Sequence, residues 1–103
     1  NDVPAGNRSI RFYLEGRQSN RDAIGTVVHV YDDAGRQTQM VKSGSSYLSS
    51  SALALTFGVG RQASVRRVVV YWPSGKVQES GKLAANRSYR WVEGEGPREL
   101  PYR

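Results

Sequence analysis

Apolar and polar residues alternate along most of this chain, and the alternation has a period of two. "SIRFYLEG" sets Ile10, Phe12 and Leu14 against Arg11, Tyr13 and Glu15, the signature of a strand with one face in a core, and Gly16 closes it. "TVVHVYDDAGRQTQMVKSG" reads as strand, turn and strand. Val28 and Val30 share one face, Val27, His29 and Tyr31 the other, and "DDAG" has the turn chemistry of a short hairpin. "LALTFGVG" puts Leu53, Leu55, Phe57 and Val59 on one face and ends in glycines that suit a bulge or a close backbone approach. "SVRRVVVYWPSGKVQESG" gives a strand with Val68, Val70 and Trp72 inward, a Pro-Ser-Gly turn and a short partner around Val77. Pro73 cannot donate to a ladder, so the strand stops there. "NRSYRWVEG" supplies a last strand with Tyr89 and Trp91 on one side.

The segments between these runs carry other signals. "SGSSYLSSSA", from Ser43 to Ala52, reads as a surface loop pinned by Tyr47 and Leu48. "GKLAANR", from Gly81 to Arg87, is the best candidate for a single helical turn, and nothing else shows helical periodicity. "EGPRELPYR" has two prolines and no period, and reads as a linker. About seven short strands at regular spacing predict an all-β antiparallel sandwich, with a small barrel as the alternative.

A chain of 103 residues has room for one core. The expected organisation is a linker over 1–6, a β-sandwich domain over 7–93 and a tail over 94–103. The Pro/Gly-containing start and the absence of an initial methionine read as a domain cut from a longer protein. There is no cysteine, which removes disulfides and thiolate zinc sites. No apolar run has the length of a membrane span, and the first residues do not form a secretion signal.

A formal net charge of +6 favours phosphates, acidic glycans or an acidic partner domain. The arginines are scattered, however, and nucleic-acid binding wants a continuous basic track interleaved with stacking rings, so composition argues against it.

Candidate chemistry is sparse. In "SNRDAIG", the oxygens of Asn20 and Asp22 could contribute to a calcium site, but such a site takes about six oxygens or more and the loop has too few acids. The structural reading is preferred: Asn20 and Asp22 close an Asx-type turn, Arg21 pairs with a carboxylate or loop carbonyls, and Gly25 takes a positive φ or passes close to another backbone. His29 stands mid-strand, and a catalytic role would need a nucleophile or an orienting carboxylate within reach. "FGVG" and "WPSG" lack the spacing of phosphate loops, and Ser74 lacks the G-x-S-x-G elbow. No catalytic residue and no metal ligand is assigned. The rings exceed what a small core needs, and alternation turns Tyr13 and Tyr71 outward. Together with Arg11 they are the expected ligand-binding patch.

The order of motifs is itself informative. "SNRDAIGTVVHVY", "SGSSYLSS", "LTFGVG", "VVVYWPSGKVQE" and "ANRSYRWVEG" follow one another as in the ASPIC/UnbV domain family, which the chain resembles from about Asn7 to Glu93. Thr26, Ser50 and Val59 stand where the family more often has alanine, glutamine and leucine. The resemblance implies a C-terminal module behind FG-GAP or VCBS repeats that form a calcium-binding propeller, in proteins that are secreted, periplasmic or on the cell surface. It brings no established reaction and no cofactor for the domain itself. The expectation is therefore a non-catalytic interaction module that binds its own acidic propeller or an extracellular glycan. Two alternatives are an accessory domain in the biosynthesis of an enediyne-type metabolite and a structural cap on a repeat array. A flat face bearing Tyr and Arg would favour the interaction module, and an apolar pocket with converging polar groups the enzyme.

Overall fold

A computed structural model of the chain describes residues 8–19, 23–42 and 54–101. The described residues form ten strands and no helix: β1 (Arg8–Glu15), β2 (Val27–Asp32), β3 (Gly35–Met40), β4 (Ala54–Gly60), β5 (Ser64–Val65), β6 (Arg67–Tyr71), β7 (Val77–Ser80), β8 (Leu83–Ala84), β9 (Arg87–Val92) and β10 (Pro97–Glu99). They make two four-stranded sheets, ordered β10-β9-β1-β4 and β3-β2-β6-β7, with β5 and β8 as a two-stranded ribbon. Neither large sheet closes on itself. The architecture is an all-β sandwich.

The alternation seen in the sequence places the core between the sheets. Ile10, Phe12, Phe57, Tyr89 and Trp91 from one sheet meet Val28, Val30, Val68 and Val70 from the other in a single buried cluster. Phe12 is central, with ring centroids 6.1 Å from Phe57, 5.8 Å from Tyr89 and 6.3 Å from Trp91. The β2–β3 hairpin closes at Asp32 and Gly35, as "DDAG" predicts. Asp32 Oδ1 accepts the Ala34 N–H at 2.9 Å, and Gly35 takes φ +132°. After Tyr71 the chain turns at Pro73, with the Gly75 N–H donating to the Trp72 carbonyl at 2.9 Å.

Four expectations need correction. The sandwich is not purely antiparallel: β1 and β9 pair parallel, Phe12 beside Tyr89 and Leu14 beside Trp91. These strands lie far apart in sequence, and local periodicity carries no strand direction. The described residues hold ten strands rather than about seven, the additions being short pieces below the length at which alternation shows. Gly81 to Arg87 holds no helical turn; Leu83–Ala84 pairs with Ser64–Val65, and Asn86 at φ +62° bends the chain into β9. Finally, part of the tail belongs to the domain. Pro97–Glu99 extends the first sheet against β9, and proline is tolerated there because it begins an edge strand.

One seam between the sheets is polar. β3 turns Gln37 and Gln39 toward the inside, opposite Val30 and Val28. Their side-chain amides donate to the main-chain carbonyls of Gly58 and Thr56 on β4, each at 2.6 Å. The edge strands of the two sheets are thereby laced together.

Candidate functional site

Three of the sequence motifs meet at one end of the sandwich, around Glu93. This residue follows β9 and is only 3% exposed. Its Oε1 accepts the main-chain N–H groups of Arg17 at 2.7 Å and Ser19 at 2.8 Å. Its Oε2 accepts the Ser19 hydroxyl at 3.1 Å and, in a short contact, the Ser74 hydroxyl. The Ser74 N–H in turn donates to Ser19 Oγ at 3.0 Å. Burial alone would raise the carboxyl pKa, but the hydrogen bonds from Ser74, Ser19 and Arg17 outweigh it and bring the group to about 2. Glu93 is thus ionised at neutral pH. Its acceptor capacity is spent on loop donors, which makes it a structural tie.

Gln78 acts in the same way beside it. Its Oε1 accepts Trp72 Nε1–H at 2.7 Å and the Gly94 N–H at 2.8 Å, and its amide donates to the Glu95 carbonyl at 2.9 Å. Gly25 takes φ +95°, donates its N–H to the Val41 carbonyl at 2.8 Å, and would place a Cβ 3.6 Å from Pro73. The positive φ, rather than close approach, requires glycine here. Asn20, Arg21 and Asp22 lie outside the described residues, as do Tyr47 and Leu48; Ser19 and Ala23 flank the signature turn, and Ala23 also takes a positive φ of 60°.

The predicted binding patch divides in two. Tyr13 and Arg11 project from β1 and Tyr71 from β6, strands of different sheets whose outer faces look in opposite directions. Alternation turns each side chain outward but does not say to which sheet a strand belongs.

Tyr71 stands on a face that sequence reasoning did not assemble. Strand register puts Met40, Val27, Tyr71 and Val77 in one row across all four strands of the β3-β2-β6-β7 sheet. At about 4.8 Å per strand the row is about 14 Å long. Met40 is 48% exposed, Tyr71 40% and Val77 57%, and these are the exposed large hydrophobics among the described residues. The next row holds Thr38, His29, Val69 and Glu79, and the third Arg36, Tyr31 and Arg67. The His29 ring lies edge-on to Tyr71 at 5.0 Å, with Nδ1 2.7 Å from Thr38 Oγ1. Desolvation, then the charge of Arg36, lowers its pKa, so His29 is neutral at pH 7. Arg67 lies 4.3 Å over the Tyr31 ring and pairs with Glu79 at 3.3 Å. The concavity beside Met40, lined by Val27, Thr38, Gln39 and Lys42, is shallow and open. This face grades from apolar to cationic.

The opposite sheet presents different chemistry. Arg98, Arg90 and Tyr13 form a row across β10, β9 and β1, and Arg11 lies two residues along β1 from Tyr13. Arg11 Nε donates to Thr56 Oγ1 at 3.2 Å and its Nη1 lies 3.5 Å from the Tyr13 hydroxyl. Arg90 pairs with Glu15. Among the described residues no group of three or more His, Cys, Asp or Glu side chains is placed to hold a metal ion, and no helix is long and apolar enough to cross a membrane.

The profile of the family described as ASPIC and UnbV matches residues 16–98. The chain belongs to this family. The match starts just after β1 and includes the whole Glu93 tie, both glutamines of the β3–β4 seam and most of β10. No curated protein matches the chain. In this ASPIC/UnbV domain the motifs "SNRDAIG", "WPSG" and "WVEG" converge because Ser19, Ser74 and Glu93 bond one another. Met40, Val77, Arg90, Arg98 and Glu93 were not among the candidate site residues read from the sequence. The hairpin closing at Asp32 and Gly35 implies the pairing of Val27 with Met40, but the pairing of β2 with β6 is non-local and left no sign.

Proposed function

We propose that this ASPIC/UnbV domain is a non-catalytic interaction module that docks onto a folded neighbour through the outer face of the β3-β2-β6-β7 sheet. The neighbour is the acidic, calcium-binding propeller of the same exported protein. The carrying observation is the row of Met40, Val27, Tyr71 and Val77, which gathers the exposed large hydrophobics of the described residues onto one sheet face. Interface cores are enriched in aromatic residues and Met and depleted of charge, while Arg at the margin suits an acidic partner. Arg36 and Arg67 supply that margin. The neutral His29 adds ring surface without adding charge.

The test is calorimetric titration of the chain with the repeat region of its own parent protein. Saturable binding is expected, weakened by about 2 kcal/mol or more, roughly thirtyfold, in a Tyr71→Ser, Val77→Ser double variant that remains folded. Absence of binding by the folded wild type, or equal binding by the variant, would refute the proposal.

A further inference from the structure

The β10-β9-β1-β4 sheet carries a second surface that the docking face does not use. Arg90 and Arg98 lie directly opposite each other on β9 and β10, a cross-strand placement of like charges that works against sheet stability. Tyr13 is next in the row, and Arg11 follows along β1. Glu15 pairs with Arg90, whereas Arg11 and Arg98 have no ion pair among the described residues. Glu95 lines the hollow between Arg90 and Arg98, but its carboxylate is paired with Arg17 at 3.3 Å. The neighbours on β4 and β9 are the small residues Ala54, Thr56 and Ser88.

We infer that the Arg11, Tyr13, Arg90 and Arg98 face is a binding site for an anionic polysaccharide bearing sulfate or carboxylate groups. Guanidinium forks match both groups in bidentate geometry, and Thr56 and Tyr13 already hold the Arg11 guanidinium against the sheet, so little side-chain freedom is lost on binding. The Tyr13 ring offers a sugar an apolar surface next to the cations. The hollow between Arg90 and Arg98 is too small to enclose a ligand, which suits an extended polymer better than a small molecule. Among the described residues the face has none of the exposed large hydrophobics, which lie on the other sheet, so it lacks the apolar centre of a protein interface. A single ring also falls short of the successive stacking platforms that hold single-stranded nucleic acid.

The experiment measures binding of the whole chain at low salt to heparin, as a sulfated probe, and to polygalacturonate, as a carboxylated one. Polyglutamate and oligodeoxythymidine serve as anions of other classes. Saturable binding to at least one polysaccharide is expected, tighter than to either comparison polymer. Arg98→Ala, on the exposed edge, and Arg11→Gln should each weaken it by about five- to tenfold. Arg66→Ala removes the same charge away from this face, where Arg66 pairs with Asp33, and should leave binding unchanged. Thermal unfolding of each variant confirms the fold. The inference is overturned if the folded wild type binds neither polysaccharide, if Arg66→Ala weakens binding as much as Arg98→Ala, or if polyglutamate or the oligonucleotide binds as tightly. Because the two surfaces are on opposite sheets, this result and the propeller titration stand or fall separately.

Discussion

Replacing Glu93 by Gln tests whether the junction of the three motifs is held by charge. In the folded chain the carboxyl titrates at about 2, against an ordinary 4.5. At about 1.4 kcal/mol per unit, ionised Glu93 contributes about 3 kcal/mol of stability. Since its pKa is depressed by folding, the contribution is fully present above pH of about 4.5 and is lost as the pH falls toward about 2. Gln keeps the shape. Its carbonyl can accept the Arg17 and Ser19 N–H groups while the serine hydroxyls rotate to accept from the amide, so the change removes mainly the charge on those bonds. Urea unfolding at pH 7 should therefore show Glu93→Gln less stable by up to about 3 kcal/mol, which lowers the melting temperature of a domain this size by about 10 °C or more. The difference between wild type and variant should shrink steadily from pH 4.5 down to pH 2.5. A variant within about 0.5 kcal/mol of wild type at pH 7, or a gap that persists unchanged in acid, would refute the reasoning.

Other perturbations have equally definite outcomes. Gly25→Ala forces a side chain onto a backbone at φ +95° and should cost about 1–2 kcal/mol in chemical denaturation, whereas Gly58→Ala, with ordinary backbone and no atom within 4 Å of the added carbon, should stay within about 0.5 kcal/mol. Phe12→Ala removes the ring that touches Phe57, Tyr89 and Trp91 and should cost about 3–5 kcal/mol by the same assay.

The alternating runs made the individual strands legible. Ile10, Phe12 and Leu14 are buried, as are Val28 and Val30, Leu55, Phe57 and Val59, and Val68, Val70 and Trp72; the burial of each follows from side-chain period alone. Pro73 marked a strand end for a similarly local reason, its missing donor. What stayed hidden was non-local. Tyr13 and Tyr71 look equivalent in sequence, and only the pairing of β1 with β4 and β9, and of β6 with β2 and β7, separates them onto opposite faces. Glu93 sits in "WVEG" without any distinguishing spacing, because its partners Arg17, Ser19 and Ser74 come from two distant turns. The parallel alignment of β1 and β9 joins segments more than seventy residues apart, a distance over which periodicity conveys nothing.

The glutamine lacing between β3 and β4 bears on how this protein behaves when crowded. An open sheet edge is a template for another chain, and strand addition of that kind underlies domain swapping and fibre growth. On the laced side the carbonyls of Thr56 and Gly58 are already engaged by amides of the same molecule. An incoming strand would compete with two short hydrogen bonds for those carbonyls. Self-association by edge pairing is thereby steered to the other flank, where β7 and the three-residue β10 offer only brief runs of backbone.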